Sequence, residues 1–230
     1  MKQLLTQGII LSRTDYGEAD RIITLLTPDY GKLRLMAKGV RKVKSKLAGG
    51  IELFSVSHIT FIQGKNDVGT LISTRLVTHY GNIVKDIDRV QLGYELIKVL
   101  NKATEDNPEP EYFALLQNAF IALDDAQVPT VLIHAWFQAQ LLDQAGHRPN
   151  LQTDTTGAQL EAGNKYNFSF DDMAFTSQSN GRITSDHIKF LRLLFSSNPP
   201  GVLAKVQGSD KLVKNLRPLV QTMAQTHIRL

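Results

Sequence analysis

At 230 residues, 42% of them hydrophobic, the chain is long enough for one large domain or two modest ones. It contains no cysteine, which excludes disulfides, thiolate nucleophiles and thiolate metal sites. The net charge is +4, yet seven Lys and Arg fall between Tyr30 and Ile51 with no Asp or Glu among them, so the other 208 residues carry −3 (+4 less +7).

Charges at Lys2, Arg13, Asp15, Glu18, Asp20, Arg21 and Asp29 argue against a signal-peptide core, and no apolar run approaches the ~18 residues of a membrane span. A cytoplasmic protein without membrane contact is expected. Residues 7–77 read as short β-rich runs at 9–12, 21–26, 32–37, 54–62 and 70–77, with turns at 15–17, 28–31 and 63–67. Five short strands in so few residues fit a small closed barrel, such as the five-stranded OB-fold; an SH3-like barrel or a small sandwich would give much the same pattern.

The third strand alternates Leu33, Leu35 and Ala37 with Lys32, Arg34, Met36 and Lys38, which places the first set in a core and the basic set on the opposite face. Arg41, Lys42, Lys44 and Lys46 follow between the glycines at 39 and 50, and this stretch is expected to be a mobile loop extending the basic face. Such a concentration of positive charge attracts polyanions by Coulomb force and by counterion release, so nucleic acid is the first partner to consider. The alternative is a solvated basic surface.

Beyond Tyr80 the apolar residues recur at helical spacing. Val90, Tyr94, Ile97 and Leu100 or Asn101 mark one face of a helix over 83–104, closed by the run Pro108, Glu109, Pro110. Two further amphipathic helices are expected over 111–124 and 130–145, with Trp136 as core filler or base stacker. Between 146 and 181 the helical period is lost, and a loop-rich insertion with short strands at 165–170 and 173–176 is expected. Helices resume over 185–195 behind a Thr184 cap, break at Pro199, Pro200 and Gly201, and end with one over 209–228 interrupted near Pro218. The fold class is therefore α+β: a barrel domain over 1–80, then a helical domain over 81–230 carrying the insertion at 146–181.

No Gly-rich phosphate loop, nucleotide fingerprint or nucleophile elbow occurs. The adjacent acids Asp124, Asp125 and Asp171, Asp172 point different ways rather than forming an acid/base pair. The six histidines show no ligand spacing, so no metal, cofactor or catalytic residue is assigned.

The runs Gly8-Ile9-Ile10-Leu11, Tyr16-Gly17-Glu18-Ala19-Asp20-Arg21-Ile22, Thr24-Leu25-Leu26-Thr27-Pro28, Gly31-Lys32-Leu33 and Ala37-Lys38-Gly39-Val40-Arg41, continued by Ser45-Lys46-Leu47 and Leu53-Phe54, closely resemble the N-terminus of the RecO family of bacterial recombination mediators. The resemblance implies an N-terminal OB-fold joined to an all-helical domain with a loop-rich insertion. It also implies a non-catalytic DNA-repair function: binding of single- and double-stranded DNA, annealing of complementary strands without ATP, and, with RecR, help in loading RecA onto DNA coated by single-strand-binding protein. The place of action would be the bacterial cytoplasm, at the nucleoid during repair. Many relatives hold two Cys-x-x-Cys pairs in the insertion, where this chain has Thr153 with Thr156 and Thr176 with Ser179. Neutral hydroxyls are poor zinc ligands, so a metal-free insertion is expected.

On these grounds the DNA-contacting residues are expected to be Lys32, Arg34, Lys38, Arg41, Lys42, Lys44 and Lys46, with Tyr30 either a base stacker or a turn residue supporting the barrel. The family's helical domain takes up the acidic, apolar C-terminal tail of single-strand-binding protein. Lys205, Lys211, Lys214 and Arg217, near Leu212, Leu216 and Leu219, are either the cationic rim of that pocket or plain helix surface. An RNA-binding module of translation or ribosome function is the alternative reading, since a phosphate-reading barrel serves RNA equally well.

Overall fold

The computed structural model describes residues 2–64, 67–104 and 109–228. Lys65 and Asn66 of the expected 63–67 turn, and Pro108, lie outside them. Five strands, β1 (Gln3–Tyr16), β2 (Asp20–Thr27), β3 (Gly31–Ala37), β4 (Ser55–Ile62) and β5 (Val68–His79), close into an OB-like barrel in the order β1-β2-β3-β5-β4. Closure comes from β4 pairing back onto β1, from Gln3 opposite Ile62 to Ile9 opposite Val56. Only the β3–β5 pairing is parallel among these strand pairs. Extra residues in β1, at Leu11, and in β5, at Ile72 and Val77, give the curvature a five-stranded barrel needs.

Period-two alternation sends Ile10, Ile23, Leu25, Leu35, Ala37, Ile59, Phe61 and Leu71 inward to a single core. Gly8 lets β1 approach β2 closely: a Cβ there would lie 2.6 Å from the Leu25 side chain. The connection from β3 to β4 is not the expected mobile loop throughout. Its second half folds back, and Leu47, Ala48, Ile51 and Leu53 pack against the barrel core around a short 3₁₀ turn, Ala48–Gly50.

A 3₁₀ turn (Ile83–Lys85) leads into α1 (Ile87–Ala103), and α2 (Pro110–Asp124) follows. Asp86 caps α1 by accepting from the Asp88 and Arg89 amides, while buried Arg89 donates to the Leu123 carbonyl of α2 at 2.9 Å. The buried face of α1 differs from the expected one. Leu92, Gly93, Leu96, Ile97 and Leu100 are buried, whereas Tyr94 is 51% exposed. Gly93 sits at the centre because the Phe54 ring lies where its side chain would be, and a hydrophobic count gives glycine no weight. Phe54 in turn meets Tyr94 and Phe120 edge-on at 5.4 and 5.5 Å. With both helices packed on the barrel, the first compact unit is Met1–Asp124 and the second Asp125–Leu230.

The second unit is built on α3 (Thr130–Gln144), which is followed by β6 (Tyr166–Ser169), β7 (Ala174–Ser177), α4 (Ser185–Leu194), α5 (Pro200–Leu203) and α6 (Ser209–His227). Helix α3 packs against α4, α5 and α6, burying Leu132, Ile133, Trp136, Phe137, Leu141 and Leu142. Trp136 is core: it is 3% exposed and donates its indole N–H to the Asn198 carbonyl. Thr184 caps α4 in a capping box with His187. Pro218 does not interrupt α6, which runs over Ser209–His227 with the proline on its exposed side, where the ring meets no packed neighbour helix.

The insertion holds together without thiolates. Tyr166, Phe168, Phe170 and Phe175 stack edge-on in a chain of contacts 5.2–6.2 Å apart. The Asp154 carboxylate accepts from the Thr156 hydroxyl and from the Thr156 and Ala158 amides, closing the turn that carries Thr153 and Thr156. Among the described residues, no three His, Asp or Glu gather as a metal-binding group. The Thr156 hydroxyl bond, helped by the backbone amides and opposed by burial, holds the Asp154 carboxyl below its ordinary pKa. A depressed carboxylate stabilises the fold above its unfolded pKa, and that contribution is lost as pH falls through the folded value. Asp154→Ala should therefore lower the urea midpoint at neutral pH, and the gap between wild type and variant should close on acidification below pH about 4. A gap unchanged by pH would show that the charge does not matter.

Candidate nucleic-acid interface

Strand β3 places Arg34 outward, exposed, and opposite Thr24 of β2, while Leu35 and Ala37 point into the barrel. After Lys38 the chain makes a series of hydrogen-bonded turns. The Gly39 amide donates to the Asp20 carboxylate at 2.6 Å and the Arg41 amide to the Ala19 carbonyl at 2.9 Å. Ser45 N–H then donates to the Lys42 carbonyl at 2.9 Å, and the Leu47 carbonyl accepts from the Thr74 hydroxyl of β5. The basic segment is thus pinned at both ends to the barrel, with the side chains of 41–44 and 46 exposed.

The seven cations do not do the same work. Lys32 reaches the C-terminus of α1, where its ammonium donates to the Asn101 and Thr104 carbonyls at 2.9 and 2.7 Å. Those carbonyls have no partner within the helix, and a cation there also complements the helix dipole. The Arg41 guanidinium lies 3.5 Å from the Asp15 carboxylate and donates to the Gly17 carbonyl, stapling the segment to the β1–β2 turn. The Asp15 carboxyl is held below its ordinary pKa, first by the Arg21 hydrogen bond and further by the Arg41 charge. Arg34, Lys38, Lys42, Lys44 and Lys46 are exposed and make no ion pair among the described residues. Tyr30 is half-buried, its ring edge-on to Phe61 at 5.4 Å, while its amide donates to the Thr27 hydroxyl. That engagement is with the barrel core.

The second unit carries a groove of ≈ 560 Å³ between α4 and α6. Phe190, Leu193, Val206 and Leu212 supply its apolar lining and Lys189 and Lys211 its cations, with Asp186 also in the lining and 3.5 Å from the Lys189 ammonium. Of the four rim candidates only Lys211 lines it; Lys205, Lys214 and Arg217 are exposed elsewhere on α6 and the turn before it. Lys189 and His187 escaped the sequence reading because they come from a second helix, and nothing in the linear pattern pairs α4 with α6. His187 Nδ1 accepts from the Thr184 amide, and burial pushes its pKa below the usual imidazole value.

The model for the family described as Recombination protein O N terminal matches residues 1–80, and that for Recombination protein O C terminal matches residues 84–230. The chain belongs to the recombination protein O family. Among its relatives, proteins described as DNA repair protein RecO are 33% identical over 148 residues in Dehalococcoides mccartyi strain 195, 30% over 152 in Thermoanaerobacter sp. strain X514, and 32% over 164 in Roseiflexus sp. strain RS-1. These alignments cover 64%, 66% and 70% of this chain and 58%, 61% and 57% of the relatives, so the matched region spans about three fifths of their length. No described helix is long and apolar enough to cross a membrane.

Lys32→Met should cost about 1–3 kcal/mol of stability by leaving the α1 carbonyls without their charged donor. Arg34→Ala and Lys44→Ala should each stay within about 0.5 kcal/mol of wild type, as exposed substitutions do. Urea unfolding of the three variants separates the structural cation from the exposed ones; equal effects would contradict the division of labour.

Proposed function

We propose that this chain acts in recombinational DNA repair as a non-catalytic mediator, binding single- and double-stranded DNA on the basic side of its barrel and annealing complementary strands without ATP. The observation that carries this reading is the pinned basic segment, which presents Lys38, Lys42, Lys44 and Lys46 with no acid among them on the barrel of a recombination protein O chain. Contacts from such side chains reach phosphates and carry no base code, which suits a protein that must act on any sequence. Screening two strands at one surface lowers their mutual repulsion and lets pairing proceed without an energy source. Lys32, Arg41 and Tyr30 act mainly by holding that surface in place, and Arg34 extends it along β3.

The groove between α4 and α6 is proposed as the seat of the acidic, apolar C-terminal tail of single-strand-binding protein. Apolar side chains would enter between Phe190 and Leu212, and carboxylates would face Lys189 and Lys211. In this reading the chain works with RecR to help RecA onto coated DNA.

The direct test is annealing of complementary single strands without ATP, together with oligonucleotide affinity as a function of salt. Changing Lys38, Lys42, Lys44 and Lys46 to Ala should abolish annealing and flatten the log-affinity against log-salt slope by about 3, or ~0.7 for each lost phosphate contact. If the wild type fails to anneal and prefers structured RNA to matched DNA, the RNA-binding reading replaces this one. For the groove, Lys189→Glu with Lys211→Glu should weaken an acidic tail peptide by about 10-fold, two surface attractions having become repulsions. Lys214→Glu with Arg217→Glu should leave it unchanged, and the reverse pattern would move the site.

A further inference from the structure

Val43 is the most exposed of the large apolar side chains described, at 104% against 69% for Ile87 and 63% for Leu5. It stands at the apex of a four-residue turn closed by the Ser45 amide on the Lys42 carbonyl, so Val43 and Lys44 are its two central residues. Turn apices favour Gly, Asn, Asp, Ser or Pro, and a β-branched apolar residue gains nothing there from local backbone chemistry. It gains nothing from packing either: the residues of this connection that join the core are Val40 before it and Leu47, Ala48, Ile51 and Leu53 after it, while Val43 itself is fully exposed. The apex is nonetheless held in place: Lys42 N–H donates to the Gly39 carbonyl, Gly39 is bound to Asp20, and the far end is bound through Leu47 to Thr74. An isopropyl group is thus displayed in solvent on a hydrogen-bonded turn, with an exposed lysine on either side.

We propose that Val43 is a base contact, packing on the face or edge of an unstacked base while Lys42 and Lys44 engage the flanking phosphates. The inference rests on the reading of the basic segment as a phosphate-binding surface. The flanking cations select a polyanion as the occupant, and among polyanions only an unpaired strand offers apolar base surface beside its phosphates. In a duplex those faces are stacked and paired. Val43 therefore gives a surface otherwise blind to base-pairing state a preference for single strands, and it holds a base open for pairing with an incoming strand.

The experiment compares the full chain with its Val43→Ser, Val43→Leu and Lys42→Ala/Lys44→Ala variants. Three probes of equal length are used in fluorescence anisotropy: a thymidine oligonucleotide, the same backbone made entirely abasic, and a matched duplex. Val43→Ser should weaken thymidine oligonucleotide binding by about 3- to 10-fold, the effect of burying one or two methyl groups. It should leave abasic and duplex binding within about 2-fold and the salt slope unaltered. Val43→Leu should retain the preference. Equal losses on all three probes, or no loss on any, would overturn the proposal. The double lysine variant separates the two readings: a shallower salt slope with Val43→Ser silent removes Val43 alone, whereas an unchanged slope removes the phosphate-binding surface and the base contact with it.

Discussion

Closure of the barrel through the pairing of β1 with β4 is the constraint on which the first unit depends. It removes the free edges of a five-stranded sheet and forces half of each strand's residues into one small interior. It also brings β4 and β5 back beneath the connection leaving β3. The second half of that connection then has an apolar surface to fold onto, and Leu47, Ala48, Ile51 and Leu53 take it. In the first half only Val40 joins the core, and the cations around it stay exposed.

Positive charge in this segment has two uses, and the partner of each side chain distinguishes them. Lys32 faces the carbonyl end of α1 and Arg41 faces Asp15, so their charge is met within the protein and shapes the surface around it. The exposed lysines have no such partner among the described residues, and for an exposed cation the strongest available counter-charge is an external one. In the proposed function a polyanion would meet the second group, while the first keeps that surface in place. This division accounts for a dense basic run that forms hydrogen-bonded turns rather than an extended tail.

The insertion is tied together by aromatic packing and by the hydrogen bonds of one carboxylate. Where relatives are expected to use thiolates and a metal to tie a small loop-rich element, this chain uses a chain of edge-on aromatic contacts and a carboxylate that satisfies a tight turn. Burial and hydrogen bonding hold this element, and the lowered pKa of Asp154 ties the stability of its turn to the ionisation of that carboxylate. The close contact of Gly181 with the Tyr166 backbone shows how tightly the insertion is packed.

Much of the architecture was legible in the residues alone. The five strands, the helical character beyond Tyr80, the two-stranded insertion and the Thr184 cap all follow from local signals: alternation, helical spacing and capping chemistry act over a few residues, and the chain carries them in linear order. The basic run was legible for the same reason, since charge density is a property of composition. Tertiary structure decided what depends on residues far apart in sequence. It chose Gly93 as the centre of the α1 face because Phe54 fills the space beside it, and it buried Trp136 beneath Asn198. It joined Lys32 to the end of α1 and Arg41 to Asp15, and it brought Lys189 and Lys211 from two helices to one groove. These outcomes turn on which side chain meets which partner, and a partner tens of residues away leaves no periodic trace in the sequence.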